Sequence, residues 1–209
     1  LPLLWREYNV YLYYYYLLCY YFIMEKKKML EYFKMHEDVL DPEFATTGSA
    51  CFDVSSYLGP PVYAGDSPNN VTVYTMDNKK ESREVKMWAG PKSTFYTSAS
   101  LHPGERMLIP TGLIFNIPEG YSMRLHTRSS VSLKQGLVMA NSEGIIDSDY
   151  YHQCFIMIYN ASADEIRIKD KERIAQGELI KTLDYSLKQT TIQPERTTER
   201  VGGLGSTGQ

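Results

Sequence analysis

A chain of 209 residues with formal net charge −3 and 43% hydrophobic side chains suits one domain of moderate size with additions. The mildly acidic balance, without a basic stripe, argues against duplex binding, which rests on neutralising many phosphates, whereas a small anionic ligand needs only a few local cations. Cys19, Cys51 and Cys154 form no CxxC pair, and His36, His102, His126 and His152 lack the i, i+4 spacing of a helical metal site; neither a disulfide framework nor a zinc knot is supported, and a reducing, intracellular (cytoplasmic) setting is expected.

Taken from the start, the chain runs from Tyr8 to Ile23 without a charge and is dominated by tyrosine, before Glu25-Lys26-Lys27-Lys28. As a membrane span the run falls short of roughly 20 apolar residues, and tyrosine prefers the interface to the hydrocarbon centre. As a secretory signal it fits worse, because Arg6 is balanced by Glu7 and no small-residue cleavage site follows. We therefore treat residues 1–23 as an extension outside the fold, with a membrane anchor as the alternative, and 24–209 as the domain.

From Lys34 onward, short apolar alternations separated by Gly, Pro and Asn predict β structure of the sandwich or barrel kind. Pro60 to Pro91 reads as an inserted β-hairpin standing on the main fold: Val71 to Tyr74, a turn at Asp77 to Lys80, then strict alternation from Arg83 to Trp88. Its bland reading is a solvated decoration; its functional reading is a partner-binding surface. Met107 to Ile109, Leu113 to Ile117 and Tyr121 to Leu125 are expected strands, broken by Pro110-Thr111-Gly112 and Pro118-Glu119-Gly120. A helix is expected only over Ser129 to Gln135, with a serine capping its first turn and Gly136 ending it. Cys154 to Tyr159 reads as a more fully buried strand, and Glu165 to Ile168 and Glu178 to Ile180 continue the pattern.

Three segments carry chemistry. Arg128-Ser129-Ser130 sets a planar fork of donors beside two hydroxyls, as phosphate oxygens require, although the same residues would also serve as a helix cap with a surface ion pair. Asn141 to Tyr150 delivers two carboxylates and a ring around a glycine turn: Asn141 can meet a base edge, Gly144 allows close backbone approach, and Tyr150 can cover a sugar. A carboxylate in a turn is usually solvated or caps a neighbouring amide, so Asp147 stands out only by its company. The terminal run Arg200 to Gly208 is a glycine-dense arm suited to wrapping phosphates. Together they suggest a nucleotide ligand.

On these residues the chain resembles the trimeric dUTP pyrophosphatases, the dUTPases, over roughly Lys34 to Gln209. Five ordered motifs carry the resemblance: Gly48 to Val54, Thr127 to Ser130, Asn141 to Tyr150, Glu172 to Gln176, and the arm from Arg200 to Gly208. The resemblance implies an all-β, jelly-roll-like barrel with one short helix and a C-terminal arm (196–209), a homotrimer with active sites shared between subunits, and Mg2+-assisted hydrolysis of dUTP to dUMP and pyrophosphate. That reaction limits uracil in DNA and supplies dUMP for thymidylate synthesis. It further implies Asp147 as the base that deprotonates water and meets the 3′-hydroxyl, Ser129 as donor to the bridging oxygen, and Gln176 as holder of phosphate and water. Arg128, Ser130, Asn141, Gly144, Ile146, Tyr150, Arg200, Leu204, Gly205, Ser206 and Thr207 would contact substrate, and Asp53 the metal's water shell. No nucleic acid partner is expected, and no membrane unless residues 1–23 anchor.

The family pattern is broken in places. Thr127 stands where a proline precedes the Arg-Ser-Ser, His152 where a glycine follows the Asp-Tyr pair, and Leu204 where a phenylalanine stacks on uracil; the arm is one residue shorter between Arg200 and the paired glycines. The competing readings are a dCTP deaminase, which needs a glutamate where Met157 stands, and a non-catalytic nucleotide-sensing regulatory protein on the same fold.

Overall fold

In a computed structural model, which describes residues 28–60, 69–90 and 94–199, the Gly and Pro punctuation resolves into fifteen strands and one helix. In chain order the strands are β1 (Glu31–Lys34), β2 (Glu43–Phe44), β3 (Phe52–Ser55), β4 (Asn70–Tyr74), β5 (Lys80–Glu84), β6 (Lys86–Ala89), β7 (Phe95–Leu101) and β8 (Arg106–Pro110). They continue as β9 (Leu113–Asn116), β10 (Tyr121–Thr127), helix α1 (Ser129–Gln135), β11 (Leu137–Met139), β12 (Gly144–Ile146), β13 (Phe155–Asn160), β14 (Ile166–Lys169) and β15 (Arg173–Lys181). The expected strands beyond residue 107 are all present within a few residues, and β1 begins three residues before Lys34.

Pairing is antiparallel throughout the described residues, in the orders β12-β10-β15-β3-β2, β11-β13-β8-β4-β5, β14-β7-β6 and β1-β9, which gives the jelly-roll-like all-β fold. Alternation along each strand sends one set of side chains inward. Met123, Leu125, Ile174 and Val54 from the first sheet share one core with Met107, Ile109, Ile156 and Ile158 from the second, all buried. Each such aliphatic side chain contributes about 1.5–3 kcal/mol by leaving water.

The segment expected as a hairpin standing on the fold is woven into it. β4 pairs not only with β5 but with β8, and Val71, Val73 and Val85 are buried in the common core. The expected single strand from Arg83 to Trp88 is split at Val85, whose side chain turns into the core, so that β5 stays with β4 while β6 pairs with β7 in another sheet. Residues 61–68 and 91–93 of that segment lie outside the described residues.

The junction is pinned by a buried ion pair. Glu105 accepts from both terminal nitrogens of Arg83, one at 2.9 Å, and from the backbone N–H of His102 at 2.8 Å, with its side chain 9% exposed. Burial alone would push the Glu105 carboxyl up; Arg83 and the His102 amide outweigh it and hold the carboxyl below the usual glutamate range. A depressed folded-state value stabilises fully above the unfolded value and is lost as pH falls through the folded one. Glu105→Gln is expected to lower stability by about 3 kcal/mol at neutral pH, because it leaves Arg83 short of its counter-charge, and to flatten the acid limb below about pH 4.3. Urea midpoints of both chains across acidic pH check this.

The helix holds one further difference from expectation. Its N-cap is Arg128, in extended conformation (ψ 138°), with no side-chain cap, so the serines begin the helix and neither caps it. The expected stop holds: Gly136 takes the left-handed conformation (φ 69°). Among the described residues no helix is long and apolar enough to cross a membrane, and residues 1–23 lie outside them.

Candidate active site

The turn between β11 and β12 is shaped by Ser142 in the left-handed conformation (φ 65°), its N–H donating to the Met139 carbonyl at 3.1 Å. This exposes Asn141 at the tip and turns the chain back along β10, where Gly144 faces Leu125 and Ile146 faces Met123. A Cβ at Gly144 would press on Leu125 Cβ at 3.1 Å, which explains the glycine as a matter of packing between strands. Glu143 is steadied from β10 by Arg124 Nη1 at 3.5 Å and His126 Nε2 at 3.7 Å.

After β12 the chain reverses: Tyr150 N–H donates to the Asp147 carbonyl at 3.2 Å, and the Tyr150 phenol donates to the Gln153 carbonyl at 2.9 Å. Burial of the ring pushes its phenol up from the ordinary tyrosine value, so it stays neutral and keeps that donor. Asn141, Gly144, Ile146, Asp147 and Tyr150, all expected from sequence, line one cavity of about 430 Å³. The Asp147 side chain is exposed.

Sequence reasoning missed the rest of the wall. Phe155 and Met157 of β13 line the cavity with Leu108 and Met139, whereas Ile156 and Ile158 point into the core. The strand expected to be more fully buried is therefore two-faced, with Met157 40% exposed. Apolar residues on both faces signal burial on both sides or, as here, a core face backed by a ligand wall. Such a wall, with a few polar groups converging on it, is the usual build of a small-molecule site.

A second constellation forms elsewhere. Asp53 on β3 accepts from Arg128 Nε at 2.8 Å and from Arg173 Nη1 at 3.1 Å, with its side chain 11% exposed, and Arg128 Nη1 donates to the Arg173 carbonyl at 3.1 Å. Gln176 faces Asp53 across β3 and β15 and His126 across β15 and β10. Ser129 and Ser130 follow Arg128, exposed. Arg173 was not foreseen as a member: it is 120 residues from Asp53 and only strand pairing brings them together. The group offers two guanidinium forks and two hydroxyls, which suit phosphate oxygens.

Among the described residues no group of three or more His, Cys, Asp or Glu could hold a metal ion. Each oxygen of Asp53 already accepts one guanidinium, which leaves lone pairs for a metal-bound water but no free carboxylate for direct ligation. That donor set fits a magnesium ion carried on phosphates and water.

Asp147 and Arg128 sit at opposite ends of β10, whereas Gly144 faces Leu125 and Glu143 reaches His126 nearer the Arg128 end. Ile146 pairs with Met123, so Asp147 emerges beside Ser122, whereas Arg128 follows the far end at Thr127; at about 3.4 Å per residue the separation is roughly 20 Å. One copy thus holds Asp147 well apart from the Arg128 and Arg173 guanidinium groups. The expected arm residues Arg200, Leu204, Gly205, Ser206 and Thr207 lie outside the described residues. A larger hollow of about 550 Å³ near Tyr32, Phe44 and Phe115 contains neither constellation.

Comparison with known proteins decides the family. The dUTPase family model matches residues 94–208, more than half of the chain. The chain belongs to the dUTPase family. It is 38% identical over 108 residues to a deoxyuridine 5′-triphosphate nucleotidohydrolase of Brucella melitensis, covering 52% of this chain and 68% of that one. Among solved structures, the dUTPase of Staphylococcus bacteriophage 80alpha with dUPNHPP is similar at TM-score 0.61 and 23% identity, over 87% of this chain and 99% of that one. A variant dUTPase from phage phi11 of S. aureus, described with a structural Mg(II) ion, matches at TM-score 0.54 and 20% identity over 79% of this chain and 98% of that one. At these identities the structures speak to the dUTPase fold alone.

Proposed function

We infer that this dUTPase-family chain hydrolyses dUTP to dUMP and pyrophosphate by water attack at the α-phosphorus. The observation that carries the site assignment is the convergence of Asn141, Asp147 and Tyr150 on one apolar cavity directly after the β11–β12 turn. Asn141 reads the uracil edge with a donor and an acceptor, and Gly144 and Ile146 form the floor beneath it. Tyr150 lies against the deoxyribose, where a 2′-hydroxyl would collide. Asp147 takes the proton of the attacking water; the new oxygen–phosphorus bond forms as the bridge between the α- and β-phosphates breaks and pyrophosphate departs.

A triphosphate carries several negative charges, so the remaining task is to neutralise and align them. Arg128, fixed by Asp53, offers its fork to phosphate oxygens, Ser129 donates to the bridging oxygen, Ser130 adds a second hydroxyl, and Gln176 holds phosphate and water. Asp53 would reach the water shell of a magnesium ion held on the phosphates, which would add charge neutralisation there. Arg200, Leu204, Gly205, Ser206 and Thr207, which lie outside the described residues, add substrate contacts. Because Asp147 and Arg128 lie roughly 20 Å apart on one copy, the base of one copy works with the phosphate-holding Arg128 of another, in keeping with a homotrimer. We place the protein inside the cell.

Met157 stands on the cavity wall, and a thioether carries no proton to transfer, which disfavours deamination. The test is incubation of the purified chain with dUTP, dCTP and UTP in the presence of magnesium, followed by product identification. Pyrophosphate and dUMP from dUTP are expected. Ammonia release from dCTP would make it a deaminase, and tight binding without turnover a nucleotide sensor.

A further inference from the structure

The segment between β12 and β13 is held by contacts that the reading above does not use. Gln153 accepts through Oε1 from the Gly112 N–H at 3.0 Å, while its own carbonyl accepts the Tyr150 phenol. The next residue is clamped on the same turn: Cys154 N–H donates to the Leu113 carbonyl at 2.8 Å, and Thr111 Oγ1 donates to the Cys154 carbonyl at 2.7 Å. That turn is a fixed base, because Gly112 takes φ 68° and a Cβ there would strike Val39 Cγ2 at 2.5 Å. From the other side, the His152 ring meets the Tyr150 ring edge-on, with centroids 5.7 Å apart and planes at 74°.

We propose that Gln153 and His152 are positioning residues for sugar specificity: they tie the Tyr150 ring to the rigid Gly112 turn and fix how closely it approaches the ribose 2′ position. The inference rests on Tyr150 covering the deoxyribose, as proposed above. Rejection of one extra hydroxyl requires a wall that does not yield, and among the described residues the turn that holds Tyr150 is closed by one internal backbone hydrogen bond, to Asp147. A glycine at position 152, as the family pattern has it, could supply no ring to brace Tyr150; here the imidazole does.

The experiment measures kcat/KM for dUTP and UTP, with magnesium, in the full chain and in Gln153→Leu, Gln153→Glu, His152→Ala, Tyr150→Phe and Tyr150→Ala. Gln153→Leu, which removes the acceptor for Gly112, is expected to raise the UTP-to-dUTP ratio about tenfold, and His152→Ala and Tyr150→Phe to raise it by less. Gln153→Glu keeps the acceptor and should keep the parent ratio. General destabilisation removes active enzyme for both substrates alike and leaves the ratio unmoved, so the ratio separates positioning from folding. If Gln153→Leu fails to fold, His152→Ala and Tyr150→Phe carry the test. A raised ratio in Tyr150→Ala with an unchanged ratio in the bracing variants would overturn this proposal alone; an unchanged ratio in Tyr150→Ala would overturn the sugar role of Tyr150 and the proposal with it.

Discussion

Asp147→Asn is expected to bind dUTP with nearly parental affinity while releasing pyrophosphate between about 10² and 10⁴ times more slowly, the range a positioned general base contributes. The substitution keeps shape and the cavity contacts but replaces a proton acceptor by an amide. Exposure of the side chain at the cavity means that the loss falls on chemistry and not on folding, so the melting temperature should hardly move. Steady-state pyrophosphate release paired with isothermal titration of a non-hydrolysable analogue separates the two. A variant with parental turnover would remove Asp147 from the base role; one with lost binding would make it chiefly a ligand for the sugar.

Asp53→Asn should cost about a hundredfold in kcat/KM although the residue need not touch the nucleotide, because it frees Arg128 from its 2.8 Å restraint and a misplacement of about 1 Å suffices for such losses. An amide cannot pair with Arg128 and Arg173 together as the carboxylate does. The loss should appear mainly in kcat, since Arg128 would be misaligned at the moment when charge develops on the phosphates. Titrating magnesium in the assay tells whether the metal's water shell is also disturbed. Turnover within twofold of the parent would show that Arg128 is oriented without Asp53.

Much of this was legible in the sequence because its causes are local. Pro110-Thr111-Gly112 and Pro118-Glu119-Gly120 mark turns by backbone chemistry, and the strands between them were bounded accordingly. Asn141 to Tyr150 is one short run through two tight turns on either side of β12, so its residues stay close wherever the chain folds. What escaped notice depends on distant partners. Arg173 joined Asp53 only through the β3–β15 register. The apolar face of β13 that holds Met157 looks like a core face in sequence, because only the fold sets Asn141 and Asp147 around the same cavity. The Pro60 to Pro91 segment reads as an insertion because its turn and alternation are those of a self-contained hairpin, whereas burial of Val71, Val73 and Val85 decides where it lies. The expected serine cap does not form because Arg128, committed to Asp53, is the extended residue that precedes the first turn.

The placement of Asp147 and Arg128 at opposite ends of β10 has a consequence for how the reaction responds to protein abundance. On the sharing proposed above, an isolated polypeptide owns two incomplete halves and hydrolyses nothing. Output should therefore climb more steeply than in proportion to the amount of chain while assembly is limiting, and dilution alone would act as an off-switch.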